Sequence, residues 1–222
     1  MKCLILLGIF VVAANAQSCY DDTQGACSRP GASDDLPNCN AKYSGFETVS
    51  ADLSSYVKRA VLYSYDYLLM STHFGNYEKN RAGFEKLFKG LSDFQWESAI
   101  DVIKYVTKRG GSIDFQTNHN TNTTRVAETT ELQSLAKALE NEKVMAKEIH
   151  SIHRKVARLH HEHQAQDNHD PETASYLEEH FAHKQAKTIR DLSGHTNDLK
   201  NLLKSGESSL SLYLFDEYLQ KL

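Results

Sequence analysis

Proline is scarce in this sequence: the 222 residues include only three prolines and eleven glycines. Because proline breaks helices and glycine weakens them, this scarcity leaves room for long uninterrupted helices. A basic excess is also missing, since 25 lysines and arginines stand against 29 acidic residues and the net charge is −4. Proteins that bind nucleic acid usually carry a basic surface, so nucleic acid is not an expected partner.

Long apolar runs are missing except near the beginning of the sequence. Residues 1–16 combine Lys2, an apolar segment over residues 4–14 and small residues before Gln17, which is the arrangement of a secretory signal peptide. The apolar segment is too short to cross a bilayer. We therefore expect a mature chain that starts near Gln17, enters the secretory pathway, is secreted or held in vesicles, and has no membrane partner.

Cysteine is sparse and confined to one part of the mature chain. Cleavage removes Cys3 and leaves Cys19, Cys27 and Cys39, all within residues 17–46, a stretch with no periodicity and several turn-forming residues. An odd number in an oxidising compartment predicts one internal disulfide and one thiol that either pairs with another chain or stays free. The sequence leaves open which cysteine is the odd one. We interpret 17–46 as an irregular, disulfide-stapled extension.

Apolar residues at spacings of three and four predict four long helices and a short fifth one. The clearest ends at Arg109-Gly110-Gly111, where glycine permits the left-handed conformation that closes helices. The predicted spans are 49–74, 83–111, a third from a capping box at Thr130 and Gln133 to Leu159, a fourth from Asp170-Pro171 to about Gly206, and 209–219.

A long polar connection separates the second predicted helix from the third. Residues 112–128 are rich in threonine and asparagine, and a segment of this length usually runs along a bundle instead of making a tight turn. It contains an N-glycosylation sequon at Asn122, which we expect to be occupied. The predicted fold class is therefore all-α, a four-helix bundle over 47–222 with a long crossover and a short C-terminal fifth helix.

Seven short motifs follow one another along these predicted helices. They are SYDYLLM at 64–70, RGG at 109–111, LENEK at 139–143, DP at 170–171, QAKTI at 185–189, LSGHTNDL at 192–199 and YLFD at 213–216. Together the motifs resemble the ferritin family, and the signal peptide and cysteine-containing extension fit its secreted insect branch of light-chain type. The resemblance implies a hollow shell of 24 subunits that stores iron as a ferric mineral. It also implies a heavy-chain partner that oxidises ferrous iron at a di-iron site inside its own bundle.

The resemblance further identifies the positions that a di-iron site would need. A catalytic chain has a glutamate where this chain has Ala60, and two glutamates and a histidine where it has Phe94, Gln95 and Ser98. We place the last three at the middle of the inward face of the second helix, with Phe94 filling space where a metal would sit. Because an iron pair needs several carboxylates and an imidazole, we expect this chain to lack ferroxidase activity.

Three residues that match the family's site are retained: Tyr67, Glu142 and Gln185. A buried carboxylate needs hydrogen bonds or a counter-charge, so we expect Tyr67 and Gln185, or a basic residue of the first long helix, to contact Glu142. Residual metal binding at these positions is the less favoured alternative. Two other functions stay open, namely a ferroxidase in which Glu142 acts with histidines, and an iron-free extracellular carrier or signalling module.

The resemblance implies two further kinds of site. Carboxylates that face the shell cavity nucleate mineral, and the matching positions of the second helix hold Asp93 and Glu97, although nearby lysines make a solvated helix face equally plausible. The threefold channels take two acids early in the fourth helix, where this chain has Ser175 and Glu178. The predicted function is a non-catalytic subunit that stores iron together with heavy chains, to which the cysteine extension links it by a disulfide.

Overall fold

The computed structural model describes residues 18–27, 36, 38–115, 130–157, 169–204 and 208–222. It separates residues 1–41 from residues 42–222 as two compact units. Every regular element among the described residues is helical, which confirms the predicted all-α class. The helices are α1 Cys19–Cys27, α2 Phe46–Phe74, α3 Ala82–Lys108, α4 Glu131–Val156, α5 Pro171–Leu177, α6 His183–Leu202 and α7 Ser208–Gln220.

Two apolar clusters fill the bundle, one toward each end. The first joins the beginning of α2 to the later halves of α3 and α4, with Leu53, Val102 and Ile149 among its fully or almost fully buried members. The second joins the end of α2 to the beginnings of α3 and α4 and to α6, and it includes Phe74 and Phe88. Between the clusters, the buried positions of these helices are largely polar. The middle of the bundle is therefore where a functional site would lie.

The fourth long helix of the bundle is α5 and α6 joined through a wider π turn, Glu178–Ala182. Leu177, Phe181 and Gln185 are all buried, although they are four residues apart. In a regular helix of about 3.6 residues per turn, each such step would rotate the side chain by about 40° away from the core. The wider turn removes this drift and keeps the three residues on one face.

Of the two predicted helix caps, the structure confirms the one at Asp170 but not the one at Thr130. Asp170 begins α5 as expected, because its carboxylate accepts a hydrogen bond from the Thr173 backbone N–H at 3.0 Å. Thr130 precedes α4, but its hydroxyl donates to the side-chain oxygen of Gln133 at 2.8 Å and caps no backbone N–H. The predicted hydrogen bonds of the capping box were therefore wrong, although the helix does begin after Thr130. Leu159, Gly206 and Asn122 lie outside the described residues.

The extension is more regular than predicted. Helix α1 spans Cys19–Cys27, so the expectation of a wholly irregular segment was wrong. The overlooked signal is a reciprocal cap, in which the Ser18 hydroxyl accepts from the Asp21 N–H and the Asp21 carboxylate accepts from the Ser18 N–H. The predicted internal disulfide is confirmed and joins Cys19 to Cys39. Of the three cysteines expected in the mature chain, this pairing leaves Cys27, at the end of α1, as the odd one.

Helix α2 begins three residues earlier than the sequence pattern predicted. Phe46 is buried at its first position and packs edge-on against Tyr105, with ring centroids 6.2 Å apart. Phe46 lies three residues before Val49 and continues the same apolar stripe, so the signal for this first turn was present in the sequence and was overlooked. None of the described helices has both the length and the apolarity that crossing a membrane requires.

Candidate functional site

The polar centre of the bundle is built by one residue from each of three helices. Tyr67 of α2, Gln95 of α3 and Glu142 of α4 are all fully buried. Each continues an inward helical stripe whose other members are mostly apolar, which is why packing of these stripes brings the three side chains together. We call these three residues the central cluster.

The Glu142 carboxyl group receives hydrogen bonds from both neighbours. The Tyr67 hydroxyl donates to Glu142 Oε1 at 2.9 Å. The Gln95 amide nitrogen lies 2.8 Å from Oε1 and 3.0 Å from Oε2. Both donors are neutral groups, so the described residues give this carboxyl group hydrogen bonds but no positive counter-charge.

Burial determines the ionisation of this cluster. It raises the pKa of Glu142 above its ordinary value, even though the hydrogen bonds from Tyr67 and Gln95 act in the opposite direction. Burial also raises the pKa of Tyr67 well above its ordinary value, and the nearby Glu142 charge reinforces this shift. Tyr67 therefore remains a neutral phenol that donates its proton to the carboxyl group.

Two predicted partners of Glu142 were wrong. The Gln185 amide is buried, but it donates to the Tyr56 hydroxyl at 3.1 Å, and Gln95 takes the role expected of it. The arginine of α2, Arg59, forms an ion pair with Glu148 at 2.9 Å. The direction in which a side chain leaves its helix, rather than its presence in a family motif, decides which group it meets.

Phe94 does not occupy the inward face of α3, which corrects the prediction that it fills the place of a metal. It is only half-buried, whereas Gln95 and Ser98 are buried. Consecutive helix residues are rotated by about 100°, so Gln95 and Phe94 cannot both point to the core centre. Ala60 of α2 is fully buried, and its side chain brings no polar atom to the core.

The donor set of this centre fits an iron pair poorly. It supplies a single carboxyl group, while the other polar atoms belong to amides and phenols. Hard iron ions prefer several oxygen ligands with negative charge and often an imidazole. Within the described ranges, no group of three or more His, Cys, Asp and Glu side chains is arranged to hold a metal ion. Among the residues that the structure describes, none donates a hydrogen bond to the buried side-chain oxygens of Gln95 and Gln185.

A second polar cluster, with a buried ion pair at its centre, lies at one end of the bundle and was not predicted. Arg109, which follows α3, is buried and forms an ion pair with Asp170 at 2.8 Å and another with Glu172. Its guanidinium group also donates to the Tyr43 carbonyl oxygen at 3.1 Å and lies 3.9 Å from the centroid of the Tyr43 ring. Tyr105 adds its hydroxyl to this group. We call Tyr43, Tyr105, Arg109, Asp170 and Glu172 the end cluster.

The pKa of the Asp170 carboxyl group is shifted in the opposite direction to that of Glu142. Burial by itself would raise the pKa of Asp170, but hydrogen bonds from Arg109 and from the Thr173 N–H hold the pKa below its ordinary value.

The sequence motif Arg109-Gly110-Gly111 had indicated only a helix end. Gly110 does adopt a positive φ of 77°, as expected of that role.

The other predicted site residues lie apart from the central cluster. Asp93 and Glu97 are exposed on α3, and Asp93 forms an ion pair with Lys89. Glu178 opens the π turn, and its carboxylate lies 2.7 Å from His153 Nε2 of α4. The roles of Asp93, Glu97 and Glu178 remain predictions.

The model of the ferritin family, described as a ferritin-like domain, matches residues 51–202, which is more than half of the sequence. The chain belongs to the ferritin family. Membership makes it a subunit of an iron-storage ferritin.

Two relatives of this ferritin chain are named light chains. The ferritin light chain of Trichoplusia ni is 44% identical over 234 aligned residues, covering 100% of this chain and 99% of the relative. The ferritin light chain of Drosophila melanogaster is 43% identical over 220 residues, covering 97% and 94%. The crystal structure of Trichoplusia ni secreted ferritin aligns with a TM-score of 0.82 and 45% identity, covering 93% of this chain and 99% of that one.

Proposed function

We propose that this ferritin chain is a non-catalytic subunit of a secreted shell that stores iron as a ferric mineral. The observation that carries the proposal is the central cluster, where one carboxyl group is hydrogen-bonded by the neutral donors Tyr67 and Gln95. Oxidising two ferrous ions in place requires several anionic ligands close together, and this centre supplies one. The light-chain names and the secreted ferritin among its relatives agree with this assignment.

A non-catalytic subunit depends on a partner for iron oxidation. We infer that the partner is a ferritin heavy chain within a mixed shell of 24 subunits. Because Cys19 and Cys39 pair with each other, Cys27 is the cysteine available for a disulfide with that partner. The signal-like residues 1–16 and the sequon at Asn122 support passage through the secretory pathway and glycosylation there.

Mineral nucleation and cation entry are two finer proposals for this subunit. Asp93 and Glu97 lie one turn apart on α3 and both are exposed, so together they present two carboxylates to ferric ions. The nearby Lys89 weakens this site because it pairs with Asp93. Glu178 is the candidate for guiding cations through the channels, and its contact with His153 competes with a passing cation for the carboxylate.

Oxidation of ferrous iron by the purified chain tests the central proposal. We expect the chain alone to oxidise ferrous iron no faster than buffer, and a shell containing both chains to show the saturable rate of its heavy chain. Glu142→Gln serves as the matched variant, because it removes the only carboxyl group of the central cluster while preserving its shape. Saturable oxidation by the chain alone that Glu142→Gln abolishes would overturn the proposal and establish a ferroxidase with unusual ligands.

The partner and the disulfide are tested separately. A mixed shell co-expressed with a heavy chain should run on a non-reducing gel as a linked pair of chains, and Cys27→Ser should abolish the link while size exclusion still reports a shell. Cys39→Ser is the informative comparison, since it frees Cys19 and should scramble the linkage. A monomeric elution near the chain mass of 25.1 kDa would instead support a helical carrier or signalling module.

A further inference from the structure

The beginning of α3 lacks a cap from its own sequence. Its N-cap residue, Arg81, makes no side-chain hydrogen bond to the first turn. The backbone N–H of Phe84, the third residue of the helix, is the group that an N-cap side chain usually satisfies. Here the carboxylate of Asp216, from the middle of α7, accepts this hydrogen bond at 3.0 Å. A residue 132 positions later in the chain therefore caps α3.

The approach of α7 to this helix end requires glycine at position 83. A β-carbon added to Gly83 would lie 2.1 Å from the Asp216 backbone oxygen and 2.9 Å from Leu219 Cβ. A backbone oxygen cannot move aside cheaply, so any larger residue would push α7 away. Gly90 on the same helix provides the contrast, because a β-carbon there would meet nothing within 4 Å.

Further contacts hold α7 in the same position. Lys86 donates from Nζ to the carbonyl oxygen of Gln220 at 2.9 Å, and Gln220 donates from its side chain to Asp216 Oδ2 at 3.2 Å. A carboxylate therefore meets the positive end of α3, and an ammonium group meets the negative end of α7. The Phe215 ring packs 5.8 Å from that of Phe84, so the polar contacts are flanked by an apolar one.

We propose that Gly83, the Phe84 N–H and Asp216 form a latch that docks α7 on the beginning of α3 in one orientation. This orientation buries Phe215 and Leu219 on the bundle. It leaves the opposite face of α7 outward, with Leu210, Tyr213, Leu214 and Tyr218 exposed by 52%, 52%, 57% and 47%. Opening the latch would add the buried residues to a surface that is already apolar. The latch thus determines which residues of α7 meet the surroundings.

Amide hydrogen exchange of the full chain tests the latch, because it reports α7 whether or not the chain assembles into the proposed shell. In Asp216→Ala we expect exchange of the α7 amides and of Phe84 to rise about tenfold, in the range for a lost helix cap. Gly83→Ala should raise α7 exchange at least as much, since it displaces the helix. Asp216→Asn keeps an acceptor oxygen but loses the charge, and should give a smaller increase of about threefold.

The matched controls are neighbouring residues that make no latch contact. Gly90→Ala adds the same methyl group to α3 in open space, and Tyr213→Phe removes a hydroxyl group from the exposed face of α7. Both should leave α7 exchange unchanged. The proposal is overturned if Asp216→Ala and Gly83→Ala keep α7 exchange within about twofold of the unmodified chain, or if the controls raise it equally.

Discussion

The central cluster and the end cluster each contain a buried carboxyl group, yet the pKa values of these two groups are shifted in opposite directions. Glu142 meets only neutral donors, and its pKa is raised. Asp170 meets the guanidinium group of Arg109, and its pKa is lowered. The comparison shows that burial alone does not determine the charge of a carboxyl group, because a cation within hydrogen-bonding distance reverses the effect.

The two clusters consequently respond to pH with opposite signs. The raised pKa of Glu142 means that its contribution to stability is fully present below its unfolded pKa, near 4.5, and is lost as pH rises through the higher folded value. The lowered pKa of Asp170 means that its contribution is present above its unfolded pKa, near 3.8, and is lost as pH falls through the folded value. The end cluster therefore contributes most to stability at neutral pH, and the central cluster contributes most at acid pH.

Removing the cation of the end cluster should produce the largest effect. Arg109→Met keeps much of the side-chain volume but leaves Asp170 buried without a counter-charge, and we expect a loss of about 3–5 kcal/mol in the free energy of unfolding. Urea unfolding at pH 7 measures it. Lys108→Met removes a positive charge from the exposed neighbouring position and should change stability by less than about 0.5 kcal/mol. Equal losses in both variants would show that the ion pairs do not matter.

Removing the charge of the central cluster should have the opposite sign. In Glu142→Gln the side-chain oxygen can still accept hydrogen bonds from the Tyr67 hydroxyl and from Gln95 Nε2. We expect a gain of about 1–2 kcal/mol at pH 8, because no buried charge remains. The gain should shrink as pH falls through the unfolded pKa of Glu142, near 4.5, because the carboxyl group then becomes protonated in both states.

The pH series is the decisive part of this experiment. Glu140→Gln, an exposed change two residues away on α4, should leave the pH profile of stability unaltered. A destabilised Glu142→Gln chain at pH 8 would mean that the carboxylate is better satisfied than its two neutral donors indicate. The contrast between the two clusters would then collapse.

Removing one neutral donor should have a moderate effect. Tyr67→Phe deletes the hydroxyl that lies 2.9 Å from Glu142 and should cost about 1 kcal/mol of unfolding free energy. The loss should be greater at pH 8 than at pH 4, because a hydrogen bond to the charged carboxylate is the stronger one. Thermal unfolding at both values measures the difference, and Tyr65→Phe, on the exposed side of α2, is the control.

An exposed ion pair should show the smallest effect. Asp93→Asn breaks the pair with Lys89 on the surface of α3, and we expect a loss of at most about 0.5 kcal/mol. The same variant tests mineral nucleation, since it should slow iron deposition in a mixed shell if Asp93 contributes. A stability loss as large as that of Arg109→Met would mean that an exposed ion pair contributes as much to stability as the buried one of the end cluster.

Local patterns accounted for much of the fold. The spacing of apolar residues predicted the long helices, and Asp170-Pro171 predicted the start of α5. The reciprocal cap that begins α1 was also present as Ser18-x-x-Asp21 and was overlooked. These features depend on residues within one or two turns of each other, so the sequence contains what is needed to predict them.

The sequence by itself determined the all-helical fold and the shortage of carboxylates at the bundle centre, because both follow from residue types and their helical spacing. Only the tertiary structure decided that Gln95 rather than Gln185 contacts Glu142, that Arg109 pairs with Asp170, and that Asp216 caps α3. Each of these contacts joins different helices. Their formation depends on the rotation and register with which the helices pack, and no local pattern encodes these.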